Sequence, residues 1–222
     1  MTAQPDLLNA AVWRKLYAEG KNDLRYPSDV LVRLGARLLS RNEDRRLLDF
    51  GFGTGANLLH FARQSYEMYG IEISEHALAL TQQRVREAGL AAELSLIEPG
   101  HRTPYRDSFF DAVYAWQVLY YGDKDVWRRT VSELERVTRP GGRVIVATAA
   151  PGDISQAEAE PLGNEMYRSR VPSQEGCVLT IPEQEGLAAL FAGRGIEVGE
   201  FGFRFGPTVA RHWIVTYRKP RS

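Results

Sequence analysis

Three glycines alternate in LLDFGFGTG (47–55), directly after a short apolar run that ends in Asp49. Glycine carries no Cβ and allows positive φ, so Gly51 and Gly53 would let a ligand approach the backbone closely. A carboxylate beside such a loop disfavours a phosphate and suits a ligand that carries a positive charge. A plain turn is the alternative, but a plain turn rarely needs three glycines. The stretch therefore predicts a binding site for a cationic ligand, or for one that carries an ammonium group.

A second carboxylate supports that prediction. Glu72 lies near the end of the apolar run MYGIEI (68–73), about 20 residues beyond the loop, where an acid can accept both hydroxyls of a ribose. An isolated surface glutamate is the alternative interpretation. The dinucleotide fingerprint G-x-G-x-x-G is not matched, because Ala56 stands where its last glycine would fall. An NAD-dependent oxidoreductase is therefore the weaker alternative.

The elements around the loop alternate between two patterns. Apolar runs typical of strands occupy 46–50, 68–73, 92–97, 110–116 and 143–149, and helical spacing occupies 56–64, 75–88 and 126–137. Strands that alternate with helices lie parallel, with helices on both faces of the sheet. RPGG (139–142) predicts a turn. A helix over 183–193 precedes strands over 197–205 and 211–219, whose link of five or six residues requires an antiparallel hairpin.

Four segments, in order, resemble the class I S-adenosylmethionine-dependent methyltransferases over about residues 45–150. They are LLDFGFGTG, GIEIS (70–74), TPYRDSFFDAVYAWQVLYY (103–121) and ELERVTRPGGRVIV (133–146). The resemblance implies S-adenosylmethionine as cofactor. It also implies an α/β fold with a Rossmann-like, doubly wound, seven-stranded sheet, mostly parallel with an antiparallel C-terminal hairpin, plus an N-terminal helical cap.

The resemblance further implies roles for matching residues. Positions around the methionine end and the sulfonium of the cofactor would be Asp49, Gly51, Phe52, Gly53, Ala115 and Trp116. Glu72 would bind the ribose and Ile73 would pack on the adenine. The spacing before TPY departs from the family pattern, so the adenine amine is assigned to Glu98, with a backbone contact from Pro99 or Gly100 as the alternative.

The N-terminal segment 13–34 is similar to the lead-in of many small-molecule methyltransferases, which folds over the cofactor pocket. Tyr17 and Tyr26 would then reach the cofactor carboxylate or form the pocket wall. The alternative is an amphipathic helix whose aromatic side chains pack on the sheet. An aromatic face near a sulfonium makes physical sense, because its π electrons attract a cation.

Methyl transfer from a sulfonium depends mainly on alignment, and a base is needed only if the acceptor must lose a proton. The candidates for a base or a positioning group are His101, Tyr120 and Tyr121, and each is equally suited to the pocket wall. No carboxylate and histidine set has metal-ligand spacing, so we predict no metal.

We predict one domain over 1–222, with a cap (1–40), a cofactor-binding core (45–150), an acceptor-side insert (151–181) and a final helix and hairpin (182–222). The insert follows the fifth predicted strand, where such folds build an acceptor pocket. We expect a small-molecule acceptor; a protein acceptor remains open. A cofactor-binding regulatory protein without catalysis would share the cofactor half, and only turnover with an acceptor distinguishes it.

Composition excludes several classes of partner. The chain has 28 basic and 28 acidic residues, so nothing in its charge favours nucleic acid or an anionic membrane. The single cysteine, Cys177, is typical of a reducing compartment, and no signal peptide or apolar run of membrane-spanning length is evident. We therefore expect a cytoplasmic protein.

Overall fold

A central sheet with helices on both faces organises the protein in the computed structural model, which describes residues 5–221. The strands are β1 (Arg46–Phe50), β2 (Glu67–Glu72), β3 (Ala92–Leu96), β4 (Phe110–Trp116), β5 (Thr138–Ala149), β6 (Ala159–Gly163), β7 (Met166–Ser169), β8 (Val178–Thr180), β9 (Glu197–Phe205) and β10 (Thr208–Arg218). Seven of them form the central sheet in the order β3-β2-β1-β4-β5-β10-β9, in which only β10 runs against the others. The predicted fold class is confirmed.

The helices are α1 (Pro5–Ala18), α2 (Asp29–Leu38), α3 (Ala56–Arg63), α4 (Glu75–Glu87), α5 (Lys124–Val137), α6 (Ile154–Ala157) and α7 (Gln184–Leu190). Side chains at their N-termini fix where the long ones begin. Ser74 accepts a hydrogen bond from Ala77 N to cap α4, and Asp123 caps α5 by accepting from Asp125 N and Val126 N. Between residues 5 and 221, no helix combines the length and apolarity needed to cross a membrane.

Alternation along the strands builds a hydrophobic core on each face of the sheet. Leu48 of β1 packs in the layer covered by α5 and α7, and its neighbour Leu47 packs in the layer covered by α2, α3 and α4. The buried face of α5 is centred on Trp127, which is fully inaccessible to solvent. Burial of these faces, rather than helix propensity, holds the helices against the sheet.

Three predicted boundaries or segments differ from the structure. β5 begins at Thr138, so RPGG lies within the strand range, where a register shift opposite Phe110 and Ala112 accommodates it as a bulge. β10 begins at Thr208, so the hairpin link is only Gly206 and Pro207; Gly206 has φ of +58°, which a link this short requires.

The 151–181 insert lies outside the alternating pattern of strands and helices in the sequence, and in the structure it forms α6 and a three-stranded antiparallel sheet, β6-β7-β8. The β6–β7 turn is made by Asn164 and Glu165, both at positive φ. Strands of three to five residues with many polar side chains show too little alternation for sequence patterns to detect.

Candidate functional site

One cavity of about 990 Å³ opens at the carboxyl ends of β1, β2 and β4. This is where the chain reverses its direction across the sheet, the position at which open α/β sheets bind ligands. Twelve predicted site residues line the cavity: Tyr17, Tyr26, Gly51, Phe52, Gly53, Glu72, Ile73, Pro99, His101, Trp116, Tyr120 and Tyr121. Of these, Tyr26 lies at the rim, with 87% of its surface exposed.

Three predicted site residues do not line the cavity. Ala115 is fully buried in the α5-side core, because strand alternation turns it away from the face that carries Trp116. Glu98 points to the surface, where its carboxylate pairs with Arg14 of α1 at 2.9 Å. Asp49 lies behind the glycine loop, as expected from its place one residue before the end of β1.

The glycine loop shows why its residues must lack a side chain. Gly51 and Gly53 have φ of +76° and +54°, values that L residues adopt only with strain. A Cβ on Gly51 would lie 2.8 Å from Cγ2 of Val118, and one on Gly53 would lie 2.7 Å from the Tyr17 hydroxyl. The loop is therefore a bare backbone surface enclosed by α1 and by the segment after β4.

Glu72 is 5% exposed and shapes the loop. Its Oε2 accepts a hydrogen bond from Gly53 N at 2.9 Å, and its Oε1 accepts from Ile73 N and Ser74 N at 2.8 and 3.1 Å. Burial raises the pKa of this carboxyl, while the three backbone donors favour its ionised form. Since Oε2 receives a single bond, it keeps a lone pair for a hydroxyl in the cavity.

Asp49 is a buried carboxylate with one protein partner. It is 2% exposed, and the Tyr114 hydroxyl donates to its Oδ2 at 2.9 Å. Burial raises the pKa of Asp49 to about 8; the Tyr114 hydrogen bond opposes that shift, and the nearby Glu72 adds to it. A buried acid without a cationic partner favours a positively charged ligand.

The raised pKa of Asp49 predicts how the stability of the ligand-free protein depends on pH. A folded pKa of about 8 lies above the unfolded value, so this group stabilises the fold at acidic pH and loses that contribution as pH rises towards 8. We expect the free energy of unfolding to fall by roughly 3 kcal/mol between about pH 5 and about pH 8 through this group. Urea unfolding of wild type and Asp49→Asn measures it. Equal pH slopes in the two proteins would contradict the assignment.

A strap made of residues 22–28 crosses the loop and is clamped to it. Leu24 O accepts from the Thr54 hydroxyl at 2.9 Å, and Arg84 of α4 donates to Thr54 O at 2.9 Å and to Leu24 O at 3.3 Å. The Arg84 guanidinium also pairs with Asp23. Arg84 carries no signal in the sequence, because an arginine that clamps a strap and one that is exposed on a helix surface show the same pattern.

Removing this clamp should weaken binding of the cofactor that the sequence resemblance implies. Arg84→Met keeps an unbranched apolar side chain but loses the guanidinium and its bonds to the strap, so we expect S-adenosylhomocysteine to bind about tenfold more weakly. Arg86→Met is the matched control, since Arg86 lies exposed on the same helix. Calorimetric titration measures both affinities. An equal affinity for the two variants would show that the strap does not contribute.

Aromatic side chains of α1 and of the segment after β4 form one wall of the cavity. Trp13 lies 5.4 Å from the ring of Tyr17 and 5.1 Å from that of Tyr121, and Tyr120 stacks on Tyr121 at 4.3 Å. The Tyr121 hydroxyl donates to Oε1 of Gln174 at 2.7 Å, so the Tyr120 hydroxyl, 3.1 Å away, donates to Tyr121. Burial raises the pKa of Tyr17, Tyr120 and Tyr121, which keeps their hydroxyls protonated.

The insert and α1 hold this wall in place. The Asn9 side chain accepts from Val178 N and donates to Val178 O, both at 2.8 Å, so its amide pairs with β8 like a neighbouring strand. β8 in turn contacts the segment after β4, where Thr180 N donates to Tyr120 O at 2.8 Å. The aromatic wall is thus assembled from three distant parts of the chain.

Comparison with known proteins agrees with this geometry. Residues 48–146 match the family model described as a methyltransferase domain. The chain is 26% identical over 185 residues to the ubiquinone/menaquinone biosynthesis C-methyltransferase UbiE of Azotobacter vinelandii, covering 75% of this chain and 72% of that protein. It is 28% identical over 186 residues to the O-methyltransferase rstn1 of Aspergillus nomiae, covering 82% and 78%.

A solved structure extends the likeness to the fold. The S-adenosylmethionine-dependent methyltransferase from Methanosarcina mazei superposes with a TM-score of 0.71 at 20% identity, covering 89% of this chain and all of that one. The geometry of the site, with its bare loop and its two buried carboxylates, and the matched sequences both indicate a methyltransferase. These findings identify the chain as an S-adenosylmethionine-dependent methyltransferase, with S-adenosylmethionine as its cofactor.

Proposed function

We propose that this methyltransferase acts on a small-molecule acceptor that binds against the aromatic wall of Trp13, Tyr17, Tyr120 and Tyr121. The observation that carries the proposal is that this wall shares one cavity with the glycine loop and Glu72. At about 990 Å³ the cavity has the size of pockets that enclose drug-sized ligands. Two relatives that match over most of their own length are named as a C-methyltransferase of ubiquinone/menaquinone biosynthesis and as an O-methyltransferase, which supports a small acceptor.

The division of labour along the chain is part of the proposal. Residues 45–150 hold the cofactor, the cap (1–40) closes over it, and the insert (151–181) faces the acceptor. Support comes from the strap over the loop and from the pairing of Asn9 with β8. A nucleic-acid acceptor is disfavoured by the balanced charge, and a cytoplasmic location is supported by the single cysteine.

The residues that would hold the cofactor each match a chemical feature of it. Glu72 would accept the ribose hydroxyls, Asp49 would balance positive charge through the loop, and Gly51 and Gly53 leave room for close approach. When bound, S-adenosylmethionine supplies a methyl group already activated by its sulfonium. The aromatic wall would attract that cation without offering a competing nucleophile.

Positioning, rather than proton removal, is the contribution we assign to the tyrosines. Tyr120 and Tyr121 form a hydrogen-bond chain that ends on the amide oxygen of Gln174, which takes no proton. Their raised pKa values keep them neutral, so they orient the acceptor and exclude water. His101, exposed at the mouth, is the candidate for taking a proton when the acceptor carries one.

Two measurements in sequence test the proposal. Titration with S-adenosylmethionine, S-adenosylhomocysteine and NAD should give binding of the first two only. Turnover is then measured with catechol, 1,4-dihydroxynaphthalene and aniline, with release of S-adenosylhomocysteine as the readout and Glu72→Ala protein as the control. A methylated product from one of them is expected. Binding without any product would contradict the small-acceptor proposal.

A further inference from the structure

Gln117, which sequence analysis did not single out, occupies an unusual position in the cavity wall. It follows the last residue of β4 with φ of +59°, a conformation that is uncommon for a residue other than glycine. Its backbone N donates to Ala147 O at 2.9 Å, which holds the residue at the end of the strand. Such backbone strain persists where surrounding structure imposes it and is concentrated at functional sites.

The side chain of Gln117 is held by a histidine that lies outside the cavity lining. Nε2 of Gln117 lies 2.8 Å from Nε2 of His212 in β10. The His212 ring is 8% exposed and stacks on Phe201 at 5.0 Å, and Phe201 stacks in turn on Trp116 at 5.4 Å. Burial lowers the pKa of His212, so its ring is neutral at ordinary pH.

The other ring nitrogen faces a buried carboxylate. Nδ1 of His212 lies 3.9 Å from Oδ2 of Asp153, which is 1% exposed. Asp153 is itself fixed, because Ser155 N donates to its Oδ1 and Arg211 N to its Oδ2, both at 2.8 Å. A carboxylate on this side of a neutral imidazole favours the tautomer with the proton on Nδ1.

That tautomer determines which way the Gln117 amide points. With the proton on Nδ1, Nε2 of His212 offers only a lone pair, so the amide NH₂ of Gln117 must donate to it. The amide oxygen of Gln117 is then directed away from His212. Among residues 5–221 no donor bonds this oxygen, and Gln117 lines the cavity. The result is an oriented acceptor of hydrogen bonds in the wall.

The position of Gln117 in the sheet indicates which ligand it serves. Glu72 ends β2, on one side of β1, whereas His212 lies on β10, on the opposite side beyond β4 and β5. The glycine loop lies between them, so Gln117 faces away from the ribose carboxylate. It is therefore placed on the side of the cavity left to the acceptor.

We propose that Oε1 of Gln117 is a positioning group that accepts a hydrogen bond from an N–H or O–H of the methyl acceptor, with Asp153 and His212 fixing its direction. This rests on the proposed small-molecule acceptor for the identity of the ligand. The orientation of the amide is independent of it and has its own test.

The first experiment measures the tautomer directly. Long-range proton–nitrogen correlation spectra of protein labelled at histidine with ¹⁵N distinguish the two neutral tautomers, and His212→Phe identifies the signal among the four histidines. We expect a neutral ring at neutral pH with the proton on Nδ1 and Nε2 accepting a hydrogen bond. A proton on Nε2, or an imidazolium, would overturn the inferred direction of the amide whether or not any acceptor is known.

The second experiment measures the effect on the reaction, with 1,4-dihydroxynaphthalene, catechol and aniline as probes. Gln117→Leu should raise the acceptor KM about tenfold with the KM for S-adenosylmethionine unchanged, as expected for one lost hydrogen bond. Gln117→Glu, which keeps an accepting oxygen, should recover part of that loss, and His212→Phe, which keeps a ring against Phe201, should resemble Gln117→Leu.

The outcomes separate this proposal from the proposed function. An unaltered acceptor KM in Gln117→Leu, or a loss that falls equally on S-adenosylhomocysteine binding, overturns the positioning role. If wild type forms no product from any of the three probes, the small-acceptor proposal is contradicted. Gln117 then has no assigned ligand, but the histidine spectra still decide the direction of its amide.

Discussion

Glu72→Ala protein is expected to bind S-adenosylhomocysteine at least about 100-fold more weakly than wild type, because it loses charge-assisted hydrogen bonds to the ligand. The same carboxylate holds Gly53 N, Ile73 N and Ser74 N, so its removal also releases the glycine loop. The loop conformation and the contact with ribose are therefore lost together. Calorimetric titration at constant salt measures the affinities.

Two further variants separate charge from shape at this site. Glu72→Gln keeps the size of the side chain and one accepting oxygen, so its affinity should lie between those of wild type and Glu72→Ala. Glu75→Ala removes an exposed carboxylate three residues away in α4 and should leave the affinity unchanged. Wild-type affinity in Glu72→Ala would show that the ribose site lies elsewhere.

Asn9→Leu is expected to detach the cap from the insert and to abolish most of the turnover. The substitution keeps the branched shape of the side chain but leaves Val178 N buried without a partner, at a cost of about 2 kcal/mol. Because Asn9 joins α1 to β8, that cost should appear as local opening, with amide exchange in α1 faster by roughly 30-fold. Hydrogen exchange followed by mass spectrometry measures it.

The control for the cap lies on the same interface. Asn22→Gly also removes a bond to the insert, since Asn22 Nδ2 donates to Ser173 O at 2.8 Å, but this bond is exposed. The φ of +59° at Asn22 suits glycine, so we expect little change in exchange or turnover. Equal exchange in Asn9→Leu and Asn22→Gly would contradict a cap that depends on the buried amide.

The positions of the residues proposed to hold the cofactor follow from local sequence. Asp49, Gly51, Gly53 and Glu72 lie at strand ends, and in a parallel sheet all strand ends of one kind meet at one edge. Their positions depend only on strand boundaries and on the order of two adjacent strands. Spacing along the chain is enough to predict both, and the alternation of strands with helices was enough to predict the sheet.

The surroundings of the proposed acceptor site were decided by tertiary structure. Asn9 bonds Val178 across 169 residues, Gln117 bonds His212 across 95, and Arg84 clamps a strap 60 residues earlier in the chain. The local sequence around each of these residues is the same as that around any residue on the surface of a helix or strand. Ala115 and Glu98 were predicted from motifs to lie at the cavity, but their side chains point away from it, into the core for Ala115 and towards Arg14 for Glu98.

By itself, then, the sequence determined the fold class, the family resemblance and the placement of the glycines and carboxylates at the strand ends, because these depend on short-range periodicity and on backbone freedom at single residues. Only the tertiary structure decided which aromatic, amide and imidazole groups face the remaining cavity. Those contacts join segments far apart in the chain, and their partners are selected by packing and by the pairing of buried polar groups, which no local pattern records.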